Sequence, residues 1–178
     1  AAFPRGHRQY VADRFAFFVV GYNTNLVKRE ELPSGYEALL HPRWAGRLAI
    51  EGTDVHWFAA VARSMGEEKG LAYFRRLAAQ KPEIRASHIL TAQLVASGEV
   101  PLFLTAYNNN METLKLQGAP VDWKPLQPAF GLAASIGLSR YAPRPHAALL
   151  FVDFALSKEG QEIVKSVNRV PSSSLVDS

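Results

Sequence analysis

Tyr107, Asn108 and Asn109 set a phenol and two carboxamides side by side, at the end of a short apolar run and just ahead of a helical stretch. These groups donate and accept hydrogen bonds without carrying charge at neutral pH, which suits holding a polar molecule better than attacking one. A second junction of the same kind, Glu51-Gly52-Thr53-Asp54, offers a hydroxyl and a carboxylate at a helix start, where free backbone N–H groups suit a phosphate or carboxylate. Asp54, with its side chain turned inward, would repel an anion and favour an ammonium or hydroxyl group; the plainer role is a helix N-cap worth about 1 kcal/mol. Trp57, three residues on, either stacks on a ligand or covers a surface. His88 opens a further helix and offers a ring nitrogen, and Tyr22, at the exit of the longest apolar run, is a hinge or cleft candidate.

Catalytic signatures are missing. The sequence contains no GxSxG, GxxxxGKS or HExxH, and His41, His56 and His146 stand in local turn or helix contexts without metal-ligand spacing. The absence of cysteine excludes disulfides, thiolate catalysis and Cys-zinc sites. Twenty Lys and Arg against sixteen Asp and Glu give a net charge of +4, scattered singly or in pairs, so no basic stripe points to nucleic acid. The longest apolar run, 15–21, is far too short to span a bilayer.

The elements that must position these residues follow from the pattern of apolar positions. Strands are expected over 15–22, 47–50, 100–105 and 131–138, the first and last apolar enough for burial on both faces. Helices are expected over 35–40, from Val55 to Gly66, from Glu67 to Pro82, over 87–97 with Ser87 as N-cap, and over 111–117. In the second of these Val55, Phe58, Ala59 and Ala62 should face the core and Trp57 should not; in the fourth, Leu90 and Leu94 share a side. A tail of two helices follows Pro143, with no strand after it. A βα core from Phe15 to Ser139 and a helical tail from Tyr141 result, and the polar junctions fall where the strands of an open α/β sheet end.

In order along the chain, "GYNTNLV", "LPSGYEALLHPRWAGRLAI", "VASGEVPLFLTAYNNN", "LQGAPVDW" and "PHAALLFVDFALSKEGQEIV" resemble the periplasmic solute-binding proteins of ABC transporters, in the iron(III)-type branch of family 1. The resemblance implies a type II periplasmic-binding fold: two α/β lobes joined by crossing strands, with a ligand held between them and a permease as partner. It implies that residues 1–21 end lobe 1 and make the first crossing, that 22–130 form lobe 2, and that 131–178 return to lobe 1 as a strand and C-terminal helices. The N-terminal half of such a protein is then expected upstream of Ala1, with export to the periplasm by a signal not present in this chain. The apolar helices of lobe 1 would offer a dimer contact.

In the iron-binding members a pair of adjacent tyrosines ligates the metal as phenolates. Counted from Gly98-Glu99, that pair falls on Asn108 and Asn109, whose neutral carbonyl oxygens balance a trivalent ion poorly. Thr53 and Asp54 fall where such relatives hold an accessory anion. The expected ligand is therefore a small polar organic molecule rather than bare iron(III), with no resident cofactor and no reaction; iron, if carried, would rest on Tyr107. Two other readings are the effector domain of a LysR-type regulator and a small α/β enzyme.

Overall fold

The computed structural model describes residues 10–177. They form two compact units: Phe17–Gly131, and the described parts of Ala1–Ala16 together with Leu132–Ser178.

The larger unit is built on β1 (Tyr10–Asn23, from Phe17 on), β2 (Leu48–Glu51), β3 (Glu83–Arg85), β4 (Leu102–Tyr107) and β5 (Val121–Lys124), in the order β3-β2-β4-β1-β5. β2 runs parallel to β3 and β4, while β1 runs antiparallel to β4 and β5. β4 is central, and its first five residues are buried, which is why they read as one unbroken apolar run. Each of the three parallel strands feeds a helix: β2 leads into α1 (Val55–Met65) and then α2 (Glu67–Ala79), β3 into α3 (His88–Ser97), and β4 into α4 (Asn108–Leu116). Parallel strands end on the same edge of a sheet, so Glu51, Arg85 and Tyr107 close one edge and the first turns of α1, α3 and α4 start from it. Between sheet and helices lies a core of Val19, Ala49, Val95, Phe103, Ala106, Met111 and Val121. Gly21 lets Met111 pack close: a Cβ at that position would stand 2.7 Å from its sulfur and push the side chain aside.

Several expectations are corrected here. α1 buries Ala62 as expected, but together with Trp57 and Val61 rather than Val55 and Phe58, which are exposed. Trp57 packs edge-on to Phe74 at 5.5 Å and against Tyr36 at 6.3 Å, so tertiary aromatic contacts decide between two apolar stripes that the short helix offers equally. In α3 Thr91, Ala92 and Val95 are buried and Leu90 is exposed. β3 was hidden by its polarity, since Glu83 and Ile84 lie exposed on an edge strand. α4 begins at Asn108 rather than Met111, because the three asparagines occupy its first turn.

In the smaller unit the first part of β1 pairs with β6 (Gly131–Gly137) and with β7 (Val170–Pro171), the latter through Arg14 opposite Pro171 and Phe15 opposite Val170. A strand thus does follow the tail helices, α5 (Pro145–Leu156) and α6 (Lys158–Ser166), although two residues carry no pattern to betray it. β6 alternates between partly buried and exposed residues rather than being buried throughout. Gln161 organises this unit. Fully buried, its Nε2 donates to the carbonyls of Asp13 and Ala155 at 2.9 and 2.8 Å, and its Oε1 accepts from the N–H groups of Ser172 and Ser173 at 2.8 and 3.1 Å. α5 buries none of its residues and leaves Leu150 and Phe151 in the open. Among the described residues, no helix is long and apolar enough to cross a membrane.

Candidate functional site

The carboxyl edge of the parallel strands in the larger unit gathers four of the chemistry-bearing residues. Glu51 closes β2 and is 4% exposed. Its N–H donates to Thr105 Oγ1 on β4 at 2.9 Å, fixing the two strands in register, while its carboxylate Oε2 accepts from the N–H and the hydroxyl of Thr53 at 2.8 and 2.7 Å. Asp54 stands at the N-cap of α1, but its side chain makes no capping bond to that helix. Its Oδ1 instead meets His88 Nε2, on the first residue of α3, at 3.2 Å; a carboxylate only accepts, so Nε2 carries the proton.

Ser87 places that histidine, capping α3 by accepting from the Leu90 N–H at 3.3 Å as the sequence predicts. The imidazole then lies stacked on the ring of Tyr107, with centroids 4.0 Å apart and planes at 27°, and Phe18 packs on Tyr107 at 5.3 Å. Burial raises the Tyr107 phenol above its ordinary value, and the carboxylates of Asp54 and Glu51 add to that shift. One donor atom from each of Glu51, Asp54 and His88 lies within 4.8 Å of the other two.

Of the residues singled out in the sequence, Tyr107, His88 and Asp54 thus come together. Thr53 adjoins them, and its N–H and hydroxyl both donate to Glu51. Asn108 and Asn109 are buried in the first turn of α4 and bonded within the protein, Asn108 Oδ1 accepting from the Phe17 N–H at 3.0 Å and Asn109 Nδ2 donating to Asn110 Oδ1 at 2.8 Å. Trp57 belongs to the core, 3% exposed, and reaches the wall of a largely apolar cavity of about 360 Å³ that Glu51 and Asp54 also line, with Ile50, Phe58 and Phe74. Tyr22 lies away from the cluster. It pairs with Leu102 at the start of β4, whereas Tyr107 ends that strand, and its hydroxyl is 3.3 Å from Asp122 Oδ2. Glu51 was missed in the sequence, although a carboxylate closing the apolar run "LAI" is a signal in itself.

The chain matches the family model described as bacterial extracellular solute-binding protein over residues 2–178. It is 28% identical over 167 residues to Iron uptake protein A1 of Synechocystis, covering 84% of this chain and 46% of that protein. Among solved structures it resembles iron-bound HitA from Pseudomonas aeruginosa, with a TM-score of 0.84 and 22% identity over 97% of this chain and 59% of HitA. It also resembles the periplasmic binding protein AfuA from Actinobacillus pleuropneumoniae with fructose-6-phosphate bound, at 0.80 and 24% over 100% of this chain and 60% of AfuA. The α/β fold of these binding proteins is the fold of this chain, which spans less than half the length of Iron uptake protein A1.

Proposed function

We infer, from a chain that belongs to the bacterial extracellular solute-binding protein family, that the protein serves an ABC importer as its extracytoplasmic solute-binding component, taking a small polar organic molecule. It hands that solute to a membrane permease and does not transform it. The family match over residues 2–178 favours this reading over a regulator's effector domain or a small hydrolase.

The observation that carries the choice of ligand is the state of Asn108 and Asn109. Both are buried, neutral and bonded to protein partners, in the place where the resemblance put a pair of phenolates. The one remaining phenol, Tyr107, is held toward its protonated form by burial and two carboxylates. A trivalent ion needs anionic oxygen ligands, and the Asn108 and Asn109 carboxamides supply none, so the paired-phenolate way of holding iron(III) does not fit these two positions. HitA holds iron and AfuA a sugar phosphate, so cargo differs between proteins of this fold.

A thermal-shift screen tests the reading, because a solute that binds only the native state raises Tm by mass action. The probes are iron(III) with and without carbonate or phosphate, amino acids, polyamines, organic acids and sugar phosphates. A shift with an organic solute and none with iron is expected. A shift with iron alone overturns the ligand assignment, and turnover of any solute overturns the non-enzymatic one.

A further inference from the structure

The cluster at the sheet edge has more acceptors than donors, and that imbalance names a ligand. Glu51 and Asp54 are carboxylates; the Asp54 side chain is 7% exposed, and its Oδ2 is buried with no hydrogen-bond partner. His88 Nε2 donates to Asp54 Oδ1, and its other nitrogen, Nδ1, is likewise buried without a partner. Among the described residues no lysine or arginine pairs with either carboxylate. A buried charge left unmatched is costly, and a buried acceptor left unmade carries the full penalty of its lost water.

The geometry points to a protonated amine as the group bound here: an alkylammonium donating to Asp54 Oδ2 and to the Glu51 carboxylate, with the stacked His88 and Tyr107 rings beside it. This deepens the solute-binding reading and rests on it. An ammonium supplies N–H donors and positive charge together, the two things the cluster lacks, and an aromatic face within reach adds cation–π attraction. An anion would meet two carboxylates, and the Thr53 N–H and hydroxyl are already donated to one of them. A metal ion ligated through His88 Nε2 fits less well, because the histidine would have to give up its bond to Asp54. Nδ1–H would then stand without the acceptor that metal-bound histidines normally have.

The test is calorimetric titration of the chain at neutral pH with n-butylamine and putrescine, and separately with zinc(II), manganese(II) and inorganic phosphate. Saturable amine binding is expected, weakened about tenfold or more by Asp54→Asn and by Glu51→Gln, as befits loss of one partner of a buried charge pair. Should either variant fold poorly, the imidazole proton resonances of His88 in the unaltered chain supply the second reading, and the amine must shift them. Binding of zinc or manganese that Asp54→Asn abolishes, with no amine binding, overturns the inference in favour of a metal. Phosphate binding, or no saturable amine binding at all, overturns it outright. A solute of another class that raises Tm in the wider screen would end this inference and leave the solute-binding reading standing; silence across the whole screen would end both.

Discussion

His88 lies flat against Tyr107, ring centroids 4.0 Å apart, and with its free hand holds Asp54 at 3.2 Å. Three elements meet in that arrangement, since Asp54 leads into α1, His88 begins α3 and Tyr107 ends β4. The histidine is thus the clasp that holds a carboxylate near a phenol, and the consequence is electrostatic.

Tyr107 should titrate above 10, its ordinary value, because burial and then the carboxylates of Asp54 and Glu51 disfavour the phenolate. A difference titration of phenolate absorbance between the chain and Tyr107→Phe isolates this one group among six tyrosines. Asp54→Asn removes one of the two charges and should move the isolated transition down, toward 10. A Tyr107 transition below 10 would contradict the placement of the carboxylates and reopen phenolate ligation of iron.

The site was only partly legible in the sequence, for reasons that particular residues make plain. Tyr107 and His88 were visible because apolar runs and capping signals fix where strands end and helices begin, and Ser87 behaves as its type predicts. Asp54 was visible as a helix start, but not as a partner of His88, which is 34 residues away in the chain. Trp57 was misread because α1 carries two apolar stripes, and only the packing of Tyr36 and Phe74 selects one. β3, β5 and β7 escaped because two to four residues, several of them polar, hold no periodicity to measure.

Asn108 is expected to be a structural residue. Its side-chain oxygen accepts from the Phe17 N–H at 3.0 Å, so Asn108→Ala leaves that donor without its partner and should cost about 1–2 kcal/mol. Urea denaturation measures the loss, and titration with whichever solute the screen yields should show nearly unchanged affinity. An affinity loss with unchanged stability would restore Asn108 to the binding site.

Asp122 gives the larger unit a dependence on acid. It accepts from Lys115 Nζ at 2.8 Å, from Arg29 Nη1 at 2.9 Å and from the Tyr22 hydroxyl at 3.3 Å. Burial alone would raise its pKa, but the Lys115 hydrogen bond, the backbone bond and the two cationic charges outweigh burial, and the folded value lies below 3.8. A carboxylate depressed in the folded state contributes stability above its unfolded pKa, and that contribution fades as pH falls through the folded value. Asp122→Asn should therefore cost up to about 1 kcal/mol at neutral pH, less in high salt because Lys115 and Arg29 are exposed. Below its folded pKa the variant and the parent should converge, which urea melts at neutral and strongly acidic pH would show; a gap that persists in acid would mean that shape, not charge, is what Asp122 supplies.

Gln161 sets the sharpest test of the smaller unit, because one buried side chain answers two carbonyls and two N–H groups at once. Gln161→Leu matches it in bulk and strands all four, so a loss of about 3 kcal/mol or more is expected, each unmade buried bond costing 1–3 kcal/mol without strict additivity. Gln161→Glu separates the two halves of the job. Its carboxylate still accepts from Ser172 and Ser173, but it faces the carbonyls of Asp13 and Ala155 with a lone pair in place of a proton. Burial and those carbonyls would raise the pKa of the new acid in the folded state, so its protonated form is the one that folding favours. The variant should accordingly be less stable than the parent at neutral pH and regain ground as pH falls through that raised value, when the acid donates again. Melting curves across the acid range read this directly; a glutamate variant equally stable at every pH would mean that the two carbonyl bonds carry no weight.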